Sequence, residues 1–169
     1  MVAMEICHLF TSPGHNFVGH HGCEPDTHPM IETSEIECVA GRGIRGDRYF
    51  DFKDDYKGQI TFFSVEVFDE LCSAMEIQAC SPALARRNVI TRGVDLNGVI
   101  GQEFEVQGVR FLGMEECRPC YWMDGAFAVG AQEFLKGRGG LRAKILTDGK
   151  LYSMKLSPRA KSRDPVKLV

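Results

Sequence analysis

The chain predicts a mainly β fold, a β-barrel with a few short helices. Three features of the 169 residues carry this reading: short apolar segments with strand-like alternation, closely spaced Gly-bearing turns, and few stretches with helical spacing. Hydrophobic residues make up 44% and charged residues 25%, enough for a core and too apolar for disorder. No linker and no internal repeat interrupts the pattern, so residues 1–169 are expected to form a single domain.

The elements follow in order. MEICHLF (4–10) and MIETSEIECVAG (30–41) have strand character, and the His-, Gly- and Pro-rich segment between them (11–30) predicts a long loop. GQITFFS (58–64) predicts a strand that ends at Ser64. Ser64 suits the N-cap of a helix in which Val65, Phe68, Leu71, Cys72 and Met75 share one face, with Glu66 in the first turn. SPALARR (81–87) begins with Ser then Pro, suited to the N-cap and first position of a short helical turn, before NVIT extends again. Phe104 and Val106 face Val109 and Phe111 across Gln107-Gly108, a hairpin pattern that LRAKILTDGKLYSMKL repeats across Asp148-Gly149. Between them, DGAFAVGAQEFLKGRGG predicts one helix ending near Gly137, with Phe127, Ala131, Phe134 and Leu135 on its buried side. The polar, basic tail 157–169 predicts partial disorder.

Charge and cysteine usage narrow the function classes. A net charge of −3 gives no global field for nucleic acid or anionic lipid, so an anionic ligand would need a local basic cluster. The first residues lack the basic and apolar regions of a secretory signal, and no run of about 18 apolar residues occurs; a cytoplasmic protein without membrane or nucleic-acid partners is expected. The seven cysteines are scattered, unlike a secreted disulfide framework, and Cys38 and Cys72 sit in apolar patterns that predict core packing.

Four clusters could carry chemistry. Cys117-Arg118-Pro119-Cys120 has no downstream Cys or His to complete a zinc site and no βαβ setting for a thioredoxin-like pair. A thiol beside cations remains, suited to nucleophilic sulfur or soft-metal chemistry, against the plainer reading of a buried pair. Arg86, Arg87 and Asn88, with Arg92 behind, read equally as an oxyanion clamp or as a solvated face. GRGIRGDRYF (41–50) is not a P-loop, but its glycines and Arg42, Arg45 and Arg48 could hold an anion; KGRGGLRAK (136–144), with Arg138, Arg142 and Lys144, is similar in kind and usually means a solvated face. His15, His20, His21 and His28 surround Cys23 and could bind a divalent metal, although no spacing matches an established zinc motif.

Taken in order, GRGIRGDRYF, GQITFFS, ARRNVITRGVDLNGVIGQEFEVQGVRFLG, CRPCYW and GRGGLRAKILTDG resemble the MOSC domain, named for the C-terminal domain of molybdenum cofactor sulfurase, over about residues 38–150. The opening SPGHNFVGHHG is similar to a stretch of small stand-alone members. The resemblance implies a barrel like that of pyruvate kinase and a reactive cysteine at Cys120, with Cys117 at a position that varies. It implies molybdenum ligation by Cys120 where the molybdenum cofactor is bound, and contact of an Arg-x-Asn segment, here Arg86 and Asn88, with the pterin. Other members are proposed to carry sulfur as a persulfide from a pyridoxal-phosphate-dependent cysteine desulfurase; that cofactor would belong to a partner, as would the reductase supplying electrons. Thr61, Ser64, Arg48 and Arg118 are expected to converge with Arg86 and Asn88 on Cys120. The alternatives are a non-catalytic binding module of the same fold and a divalent-metal protein using His15, His20 and His21.

Overall fold

The computed structural model describes residues 3–16, 23–24 and 26–154. Strands β1 (Glu5–Thr11), β2 (Ile31–Thr33), β3 (Glu35–Val39), β4 (Gly43–Ile44) and β5 (Ile60–Ser64) precede helix α1 (Val65–Ala74). A 3-10 turn (Pro82–Ala85) leads to β6 (Val89–Arg92), and a second (Leu96–Val99) to β7 (Glu103–Val106) and β8 (Val109–Glu116). Helices α2 (Trp122–Ala126) and α3 (Ala131–Leu135), then β9 (Leu141–Ile145) and β10 (Gly149–Tyr152), complete the order.

The strands form two sheets. The larger has the order β2-β1-β6-β5-β9-β8-β7, antiparallel except for the β5–β6 pair, and the smaller has the order β10-β3-β4. The fold is mainly β as expected, but among the described residues the sheets do not close into a barrel: β2 and β7 remain edges. Closure needs one continuous hydrogen-bonded ladder, whereas here two sheets share an apolar core in which Ile36, Cys38, Ile44 and Leu151 meet Leu9, Phe62, Val89 and Phe111.

The larger sheet is covered on its other face too. Phe62 and Val89 belong to the core shared with the small sheet, while their neighbours Phe63 and Ile90 join Val65, Phe68, Leu71, Ala131 and Leu135 under the helices. Burial on both faces explains why β5 is buried at Ile60, Thr61, Phe62 and Phe63 in succession rather than at alternate positions. Ser64 caps α1 by accepting from Val67 N at 3.2 Å, and Ser81 caps the 3-10 turn by accepting from Ala83 N at 3.2 Å.

The first hairpin forms with the expected register, Phe104 opposite Phe111 and Val106 opposite Val109. Gln107 (φ 50°) and Gly108 (φ 82°) supply the two positive angles of a primed turn. The second does not form. After β9 the chain crosses to the small sheet, where β10 pairs with β3; the Asp148 carboxylate accepts from Ala40 N at 2.8 Å instead of closing a hairpin. The single helix expected over 124–137 is two short ones, because Gly130 takes φ 100° and the Asp124 carboxylate accepts from Gln132 N at 2.9 Å. The tail 157–169 lies outside the described residues. No helix of the described residues is long and apolar enough to cross a membrane.

Candidate functional site

The ends of several elements surround one cleft of about 290 Å³, lined among others by Arg48, Arg86, Arg87, Arg118, Cys117 and Cys120. His15, Tyr49, Tyr56, Thr61 and Arg142 also line it. Five arginines therefore face the same space as two thiols. Cys117 is buried, Cys120 is half-buried, and both follow β8 on the way to α2. Close backbone packing fixes this segment: Cys117 N donates to Gly140 O at 2.8 Å, and an added Cβ on Gly139 would stand 2.3 Å from Cys117 O.

The arginines are held mainly by neutral oxygens. Arg87 is buried and donates from Nε to Gly139 O (3.2 Å), from Nη1 to Ala85 O (2.7 Å) and from Nη2 to Cys117 O (3.2 Å), tying the 3-10 turn to the cysteine segment. Arg86 has a left-handed backbone (φ 56°) and donates to His28 O at 2.8 Å and Ser12 Oγ at 3.1 Å. Arg48 pairs with the buried Asp47, and Arg142 reaches Glu115 at 3.3 Å. The site keeps more cations than carboxylates, which suits an anion.

Electrostatics agree with this geometry. Burial, and next the charge of Arg48, pull the pKa of Arg86 down to about 10. Burial also opposes the charge on Arg142, but the neighbouring Cys117 sulfur and the Tyr56 hydroxyl hold it above the ordinary arginine value. Burial and then Tyr49 push the Tyr56 phenol up to about 12. Tyr49 and Tyr56 stack at 5.4 Å and form an aromatic wall.

Not every residue expected at the site reaches the cleft. Asn88 is fully buried and bolts strands together: its Oδ1 accepts from Thr61 N (3.1 Å) and Thr61 Oγ1 (3.0 Å), and its Nδ2 donates to Phe10 O (3.1 Å). It orients Thr61, which does line the cleft. Ser64 lies away, capping α1 and donating to Glu66 at 2.8 Å. Arg92 is exposed, 3.9 Å from Glu5. His20 and His21 lie outside the described residues. His15 Nε2 faces the Arg48 carbonyl at 3.1 Å, and no group of three or more metal-ligating side chains occurs among the described residues.

Sequence reasoning passed over Tyr49 and Tyr56, and read Arg142 as part of a solvated face. A signal for Arg142 existed. In LRAKI, Leu141, Ala143 and Ile145 point to the core, so Arg142 takes the other face, in register with Thr61 of β5.

The fold and the site define a class: a mainly β protein whose two sheets carry a cationic, thiol-bearing cleft at their strand ends. The MOSC domain matches residues 21–153, and the chain belongs to that family, one commonly related to the molybdenum cofactor. Among solved structures it is similar to the YuaD protein of Bacillus subtilis (TM-score 0.68, 18% identity, covering 89% of this chain and 91% of that one). It is also similar to YiiM of Geobacillus stearothermophilus (TM-score 0.63, 12% identity, 89% and 71%) and YiiM of Escherichia coli (TM-score 0.58, 18% identity, 72% and 60%). At these identities the likeness concerns the fold alone. No sequence among curated proteins matches.

Proposed function

We propose that the cleft binds an anionic ligand of the molybdenum-cofactor class and that Cys120 is its reactive thiol, serving as a sulfur carrier or as a molybdenum ligand. The single observation that supports this is the meeting of Cys120 with five arginines in one cleft. Guanidinium forks match phosphate oxygens, and a thiolate is the form of cysteine that attacks sulfur and binds soft metals.

The residues fit such a group on their own chemistry. Arg86 and Arg87 both line the cleft and donate to backbone carbonyl oxygens, which fixes two positive charges where an anionic group would sit. The stacked tyrosines offer a flat wall to a heterocycle. When bound, the cofactor would supply a molybdenum centre capable of redox or oxo chemistry; Arg48, Arg86 and Arg118 would hold its phosphate, and Cys120 would face the metal.

Sulfur transfer uses the same residues. The Cys120 thiolate attacks the outer sulfur of a donor persulfide; the Cys120–sulfur bond forms as the donor's S–S bond breaks, and the electron pair leaves with the donor thiolate. The donor in this proposal is the persulfide of a pyridoxal-phosphate-dependent desulfurase, and the reductase role would need an electron-donating partner.

Protein purified from its native host tests the reading through elemental analysis together with intact mass under non-reducing conditions. Molybdenum, or one added sulfur on Cys120, is expected, and Cys120→Ala should remove it. Finding neither, with the fold intact, would leave a binding module without this chemistry.

A further inference from the structure

We propose that Cys72 and Cys80 form a redox pair which, when oxidised, closes into a disulfide that staples the end of α1 to the segment forming one wall of the cleft. Their Sγ atoms face each other at 2.6 Å, a short movement from the bonded separation of about 2.05 Å. Neither belongs to the cleft or to the chemistry assigned to Cys120.

The backbone brings them together. Cys72 lies in the last turns of α1, where Met75 N donates to Leu71 O at 3.0 Å and Ile77 N to Cys72 O at 2.9 Å. Glu76 adopts a left-handed φ of 54° and reverses the chain, so Cys80 returns alongside the helix it has just left. Cys80 then immediately precedes Ser81, the cap of the 3-10 turn that carries Leu84, Ala85 and Arg86 to the cleft. A bond at this point anchors the entrance to that turn.

Both thiols are half-buried and pack against the apolar layer under the helices. Burial first, and the Cys80 thiol second, push Cys72 up to about 12, so in the reduced protein it keeps its proton and exchanges slowly near neutral pH. That behaviour suits a pair that follows the thiol–disulfide poise of its surroundings rather than one that turns over.

The oxidant is a low-molecular-weight disulfide such as glutathione disulfide. One thiolate of the pair attacks it, forming a mixed disulfide and releasing one glutathione; the second then attacks the mixed disulfide and releases the other. Two protein thiols lose two electrons, one glutathione disulfide becomes two glutathione molecules, and the two protons pass to the departing thiolates.

The test uses the full chain equilibrated with excess glutathione disulfide, then alkylated, denatured without reductant and cut after glutamate. Glu76 separates the two cysteines in sequence, so their fragments stay joined only if the bond has formed. One joined mass, released by reductant, is expected. Amide exchange over residues 77–87 should also slow about threefold or more in the oxidised protein, and not in Cys72→Ser or Cys80→Ser under the same treatment. Separate alkylated fragments, or a bond from either cysteine to a different partner, would overturn the pair. Unchanged exchange in a bonded protein would overturn the staple.

Discussion

Arg48 donates from Nη2 to the Arg86 carbonyl at 2.9 Å, so one cleft arginine sets the backbone of another. Its Nη1 meets Asp47 at 3.2 Å, and both side chains are almost wholly covered. Asp47 in turn accepts from Ser12 N (3.0 Å) and Tyr49 N (3.2 Å), which joins the end of β1 to the glycine-rich turn after β4. Removing one member of such a pair leaves a buried charge unanswered, so Arg48→Ala should cost about 3 kcal/mol or more in urea unfolding. A loss below about 1 kcal/mol would mean that the pair is only a surface-type contact.

His15 predicts a pH dependence. Its Nε2 faces a carbonyl, which can only accept, so the proton sits on Nε2; Nδ1 is buried and meets no partner among the described residues. Burial first and Arg48 second depress its pKa below the usual 6.5. As pH falls through 6.5 the unfolded chain takes up a proton that the folded chain resists. Stability is therefore complete above that value and declines between it and the lowered one. Urea midpoints from about pH 7.5 to about pH 5 should fall more steeply for the native chain than for His15→Gln. Parallel curves would show that His15 titrates freely.

Much of this was legible in the sequence. Phe104, Val106, Val109 and Phe111 alternate around a Gln-Gly turn, and Ser64 and Ser81 stand where caps are needed, so local chemistry determines those elements. Asp148-Gly149 carries the same hairpin signature as Gln107-Gly108, yet the flanking strands go to different sheets; partner choice is a long-range decision that no turn dipeptide encodes. The cysteine segment and Arg86 meet across tertiary contacts, and the order of motifs along the chain was the only guide to that meeting. Asn88 shows the converse limit: a polar residue beside arginines reads as a ligand contact, but its amide is consumed in joining β5 to the end of β1. Cys72 sits in an apolar pattern that predicted core packing; it is half-buried, and its thiol partner eight residues on came into view only with the turn at Glu76.

Gly139 tests how firmly the cysteine segment is fixed. A Cβ there would stand 2.3 Å from Cys117 O and 2.8 Å from the Pro119 ring, and the first of these is backbone that cannot swing aside. Gly139→Ala should lose about 2 kcal/mol of stability and raise the alkylation rate of Cys117, which is buried in the native chain. An alanine variant with native stability and native thiol reactivity would show that the loop yields without strain.

Arg86 connects stability to ligand charge. Its folded pKa of about 10 lies below the ordinary arginine value, so its charged form costs stability at every pH below about 10, and that cost is recovered as pH rises from about 10 towards the ordinary arginine value. An anion in the cleft acts in the opposite direction, because it favours the charged guanidinium. Phosphate or molybdate should therefore raise the melting temperature near neutral pH; a site filled to a hundred times its Kd contributes about 2.7 kcal/mol. That ligand-induced shift should fade as pH rises past about 10 and be largely lost in Arg86→Gln, even though the variant also gives up contacts with His28 O and Ser12 Oγ. Because the shift is measured within each protein, a lower starting stability does not disguise the result. An equal shift in Arg86→Gln would show that Arg86 does not hold the anion.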